Sequence, residues 1–137
     1  GSGPDTFIIA FPNNDLVGLY NSGHINEIIT KPHCTLMQIG VQTGVISLIA
    51  WLVFFIWYLV SSLKLYWKHD FNGYLPKIGV SIFVGVIGYL IISLTNDSCI
   101  AVAPVLYAVT GMGLGINYKL KKDQKETGTA QIKEVAK

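Results

Sequence analysis

His33 is the residue best placed to do chemistry. It follows Thr30-Lys31-Pro32 and precedes a long run without charge. Pro32 fits the first position of a helix, which predicts that His33 falls in that helix's first exposed turn. An imidazole there can accept a proton from an alcohol or hydrogen-bond a phosphate near neutral pH. The plainer reading is that His33 caps the helix or sits at an interface, and the residue types alone leave both readings open. His24, in a glycine-flanked loop, and His69, among lysines, offer less. Cys34 adjoins His33, but neighbours on a helix point about 100° apart, a poor arrangement for a thiol and its base. Cys34 and Cys99 are the only two cysteines. They make neither a metal framework nor a disulfide-stapled fold, and no cluster of ligands predicts a metal site.

The elements that must carry these residues are hydrophobic. Of 137 residues, 51% are hydrophobic and 13% charged, where soluble domains carry about 25% charged residues. No Asp, Glu, Lys or Arg interrupts His33 to Leu63, Ile78 to Asn96, or Ser98 to Tyr118. Roughly 20 apolar residues cross a bilayer as a helix, so three spans are predicted, at about residues 40–63, 77–95 and 99–117. A soluble chain of this size could hardly bury three such helices on every side. The expected class is an all-α integral membrane protein: an outward loop with short helices over residues 1–35, three spans within 36–118, and a tail over 119–137. Pro4 to Phe11 reads as a short interfacial helix, broken at Pro12-Asn13-Asn14-Asp15, and residues 18–27 read as a surface loop. Small residues four apart, Gly40 with Gly44, Ser81 with Gly85 and Gly111 with Gly115, would let helices approach closely.

Charge placement predicts the orientation. Every basic residue is a lysine. Lys64, Lys68 and Lys77 lie between the first two expected spans, and Lys119, Lys121, Lys122 and Lys125 follow the third, while Lys31 stands alone on the other side. The positive-inside rule then makes the 64–77 loop and the tail cytoplasmic and residues 1–35 extracytoplasmic. Tyr58, Tyr66 and Trp67 are expected in the interfacial aromatic belt, and the lysine-rich tail is expected to be solvated and disordered, with its lysines near lipid headgroups. Dispersed lysines without arginine give no case for nucleic-acid binding. The chain opens on Gly1 without a methionine or a signal-peptide pattern, so a piece of a longer protein is expected.

Three segments then fall in a telling order: Gly1-Ser2-Gly3-Pro4-Asp5-Thr6-Phe7, Lys31-Pro32-His33-Cys34-Thr35-Leu36, and Gln42-Thr43-Gly44-Val45 at the head of a hydrophobic helix. Together with the small apolar run from Ser98 to Gly111, they resemble the C-terminal part of the O-antigen ligase and O-antigen polymerase superfamily. That family shows a Gly-x-Gly-Pro start, a Pro-His-Asn-x-x-Leu motif and a Glu-Thr-Gly before the next span. The resemblance covers the chain except its tail. It implies a fragment of a larger helical bundle in the cytoplasmic membrane. The activity implied is glycan transfer on the outer side, from a polyprenyl-diphosphate carrier to an acceptor sugar hydroxyl, without metal, nucleotide sugar or other cofactor. The family's histidine maps onto His33, implying that it activates the acceptor or engages the diphosphate; Lys31 and Asp5 are the secondary candidates for substrate contact. Cys34 replaces the family's asparagine and Gln42 its glutamate. The arginines with which the family holds the diphosphate have no counterpart here, so upstream helices would have to supply them, and the fragment alone is expected to be inactive. The competing expectation is a non-catalytic membrane component, from a transporter or an assembly subunit.

Overall fold

The computed structural model describes residues 1–4, 6–7, 9, 16–21, 23, 32–67, 71–96, 98–99 and 101–135, with side chains up to residue 129. The described elements are all helical: α1 (Leu16–Asn21), α2 (Thr35–Gln42), α3 (Val45–Tyr66), α4 (Tyr74–Ile92) and α5 (Ala103–Val135). Internal contacts divide the chain into two units, one of Gly1–Phe54 with Leu90–Cys99, the other of Phe55–Tyr89 with Ile100–Lys137.

α3 and α4 are long and apolar enough to cross a membrane, and only 17% of the apolar window of each is buried. A soluble core helix hides such a surface; here Ile46, Ile49, Val53, Ile56 and Trp57 of α3 are all exposed. The third expected span does not meet the same measure. Its residues enter α5 only at Ala103, and Pro104, Thr110, Asn117 and Lys119 dilute the aliphatic content.

The first expected span, from about residue 40, is two helices. Thr43 caps α2 with its N–H on Ile39 O (2.9 Å), and Gly44 turns the chain at φ 97° before Leu48 N–H restarts the ladder on Gly44 O. A positive φ of this kind suits glycine alone among common residues. The second span runs as α4 from Tyr74 rather than 77, with Pro76 in the first turn, where its missing N–H costs nothing. Leu16–Asn21 is helical and takes in the first four residues of the loop expected over 18–27, and Gly23, at φ 78°, donates to Tyr20 O just beyond it. The proposed helix over Pro4 to Phe11 lies largely outside the described residues. α5 continues through the lysine-rich segment to Val135. Lys, Gln, Glu and Ala are good helix formers, and Lys122 and Glu126 pair at i,i+4 (3.8 Å).

Within the second unit, polar side chains and glycine notches join the helices. Tyr66 Oη donates to Asn117 Oδ1 (2.6 Å), and Asn117 Nδ2 donates to Ser62 Oγ (2.7 Å), all three residues buried. Leu65, Tyr66 and Leu120 form a small core against Leu75, Val80, Phe83 and Ile116. Tyr66 reaches across to Gly79 of α4, where an added Cβ would collide with its hydroxyl, and Tyr58 reaches Gly113 of α5, where a Cβ would fall 2.5 Å from Oη. Tyr58 is fully buried, so neither tyrosine belongs to an interfacial belt; of the three expected there, only Trp67 is exposed. The close-approach glycines also differ from those expected. A Cβ on Gly85, Gly111 or Gly115 would meet nothing within 4 Å. Glycine spacing marks where helices can approach, but the partner's large side chain decides where they do.

Candidate functional site

The segments singled out by their motifs meet in the first unit, and α2 is the hub. Its N-terminal end has no side-chain cap, because Cys34 occupies the N-cap position with extended backbone (φ −159°, ψ 122°). The first amide of a helix needs an acceptor from elsewhere. Thr35 N–H finds two, Ser93 O and Asn96 O, both at 3.0 Å, and Thr35 Oγ1 donates to Asn96 O at 2.8 Å. These carbonyls belong to the chain leaving α4, where a helix end has carbonyls to spare. One turn along, Gln38 Oε1 accepts Ser98 N–H (2.8 Å). Thr35 and Ser93 are buried, while Asn96 is exposed, so the bonds are part-buried.

At the other end of α2, the Gly-Ser-Gly segment pairs with the backbone. Ser2 N–H donates to Val41 O (2.7 Å) and Gly3 N–H to Gln42 O (3.0 Å), with a further bond from Ser2 Oγ to Val41 O. Thr6 Oγ1 folds back onto Gly3 O and Ser2 Oγ, both at 2.7 Å. Gly1 lies so close to Gly44 that a Cβ on Gly44 would fall 2.8 Å from Gly1 N. Two motif segments roughly forty residues apart are thus one piece of structure, joined chiefly by main-chain atoms.

His33 sits immediately before the N-cap and is exposed, while Pro32 beside it is buried. Its expected place inside the first helical turn is therefore corrected: α2 begins two residues later, because Cys34 is extended. The consequence is a side chain held at the rim of an ordered backbone knot yet open to solvent, the position from which an imidazole can meet a hydroxyl or a phosphate. Cys34 is half-buried, Cys99 exposed, and both are free thiols. Lys31, Asp5, His24 and His69 lie outside the described residues. Among the described residues no group of three His, Cys, Asp or Glu side chains is placed to hold a metal ion. Sequence reasoning passed over Thr35, Gln38, Ser93 and Asn96. Asking which acceptor serves the first amide of a helix whose N-cap is cysteine would have pointed to the need for such a partner.

The chain matches no protein-family model, no curated protein and no solved structure.

Proposed function

We propose that this chain is the C-terminal part of a membrane glycosyltransferase that moves glycan from a polyprenyl-diphosphate carrier to a sugar hydroxyl on the outer side of the cytoplasmic membrane. The observation that carries the reading is the meeting of the Gly-Ser-Gly and Gln-Thr-Gly segments around α2, with exposed His33 at that helix's other end. Each motif is weak alone; two of them pack together at one end of α2, and the histidine segment leads into its other end. In this reading α3 and α4 cross the bilayer, and residues 103–118 of α5 cross beside α3, their polar groups satisfied by the Tyr66, Asn117 and Ser62 bonds rather than by water. Lysine placement then sets the 64–77 loop and the tail in the cytoplasm and His33 outside.

His33 accepts the proton of the acceptor hydroxyl as it attacks the anomeric carbon, and the diphosphate leaves as the anion. Helices upstream supply the cations that hold it. Lys31 and Asp5 are adjacent in sequence to the ordered segments and serve as secondary contacts. The test is His33→Ala in the parent protein, with polymer transfer from a polyprenyl-diphosphate donor assayed at matched membrane levels. The expected loss is at least about a hundredfold, the usual contribution of a general base. Unchanged transfer removes His33 from the mechanism, and absence of transfer by the unaltered parent favours a non-catalytic membrane component.

A further inference from the structure

The far end of the second unit has a different chemistry. Tyr118, Lys121, Lys122, Lys125 and Glu126 line a groove where α5 leaves its apolar stretch. These positions share one helix face, being spaced by three and four residues. Lys121 Nζ reaches Ser61 Oγ of α3 at 3.4 Å, and Lys64 of α3 is one turn beyond Ser61. Glu126 is within 3.8 Å of Lys122 and offsets its charge, leaving Lys64, Lys121 and Lys125 as the cations without an acidic partner among the described contacts. Tyr118 is 74% exposed and adds a hydroxyl and an aromatic face at the same level.

We infer that this groove binds the phosphate of an anionic phospholipid headgroup. Three features converge on that ligand. Lys121 and Lys125 of α5 line the opening, and Lys64 of α3 is one turn from Ser61, which Lys121 reaches, so the charge is gathered in a small area that suits a compact anion. The groove begins one turn after the last apolar turn of α5, the depth at which a lipid phosphate sits when the neighbouring helix is embedded. Tyr118 is exposed at that boundary, and a tyrosine joins an apolar ring to a hydroxyl that can donate to a phosphate oxygen. Lysine side chains near an anionic surface each contribute about a fivefold gain in association. The inference rests on the bilayer reading of α3 and α4 and is independent of glycan transfer.

The experiment places the full chain in nanodiscs of phosphatidylcholine with a minor share of phosphatidylglycerol and measures the lipid retained on extraction by native mass spectrometry. Retained phosphatidylglycerol should exceed its share of the bilayer severalfold. Lys121→Gln with Lys125→Gln should bring the retained share down to about that of the bilayer, whereas Lys77→Gln, which removes a lysine outside the groove, should leave it near the starting value. Helicity measured by circular dichroism confirms that both variants remain folded. Equal retention of the two lipids overturns the inference, as does an equal loss from Lys77→Gln, which would mean attraction by overall charge. Displacement of the lipid by inorganic phosphate at millimolar concentration overturns the lipid assignment in favour of a soluble phosphate.

Discussion

The two units hold themselves together by different means. In the first, the Gly-Ser-Gly segment, α2 and the chain after α4 are joined mostly by backbone amides and carbonyls, with short polar side chains as accessories. In the second, α3, α4 and α5 are joined by large side chains: two tyrosines seated against glycines, and a buried chain of hydrogen bonds through Asn117. The difference teaches where each unit can change. A backbone knot fixes its shape while leaving its side chains free, which is how an exposed His33 can be held in place without being buried. A side-chain interface has no such latitude, because one added carbon meets the tyrosine opposite.

That contrast can be broken by substitution. The largest effect is expected from Gly113→Val, whose side chain would enter the space of Tyr58; overpacking of this kind costs about 3 kcal/mol. Unfolding of the chain in mixed micelles reads it, and Gly111→Val, which meets open space, should cost under about 0.5 kcal/mol. If the two cost the same, the notch is not what joins the helices. Asn117→Leu comes next. It strands Tyr66 Oη and Ser62 Oγ in an apolar setting, and bonds between membrane helices are worth about 0.6 to 1.7 kcal/mol each. A double-mutant cycle with Tyr66→Phe should return a coupling in that range, and a value near zero would mean the two do not interact.

The first unit should respond less. Gly44→Ala forces a side chain into φ 97° beside Gly1, at a cost of about 1 kcal/mol or somewhat more. Thr35→Val keeps the amide bonds to Ser93 and Asn96 and loses only the hydroxyl bond, so about 1 kcal/mol is expected. Hydrogen exchange at the Thr35 amide sharpens the point: protection should persist in Thr35→Val, since the backbone bonds remain. Rapid exchange there would show that the side chain, not the main chain, closes the knot.

Much of this architecture was legible in the sequence, and what was not has a physical reason. α3 and α4 announce themselves because an unbroken apolar run of that length favours a helix long enough to cross a bilayer. The break at Thr43-Gly44 does not, since a glycine at positive φ and a glycine inside a helix are spelled alike. Tyr58 and Tyr66 were misplaced into an interfacial belt because hydropathy reports depth along a helix and not the face on which a ring emerges. The same blindness put the close approaches at Gly111 and Gly115 instead of Gly113. The division of α5 into a span and a solvated tail rests on the tail's lack of apolar periodicity, a signal blind to a helix continued by good helix formers and i,i+4 pairs such as Lys122 with Glu126. At the candidate site, two of the segments that the motifs single out, Gly-Ser-Gly and Gln-Thr-Gly, lie against each other. The carbonyls of Ser93 and Asn96 carry no signal in side-chain identity and emerge only with the backbone.

The central claim, that the backbone knot carrying His33 faces the outside of the membrane while α5 ends in the cytoplasm, can be tested with the chain's own thiols. Cys99 is exposed and follows Ser98, whose N–H donates to Gln38 of α2. A membrane-impermeant maleimide applied to intact cells should label Cys99 in a Cys34→Ser background. With both native cysteines changed to serine, Gly128→Cys should be labelled only after the cells are permeabilised. Labelling of Gly128→Cys in intact cells, with Cys99 protected until permeabilisation, would contradict the account and remove His33 from the side on which the proposed transfer would occur.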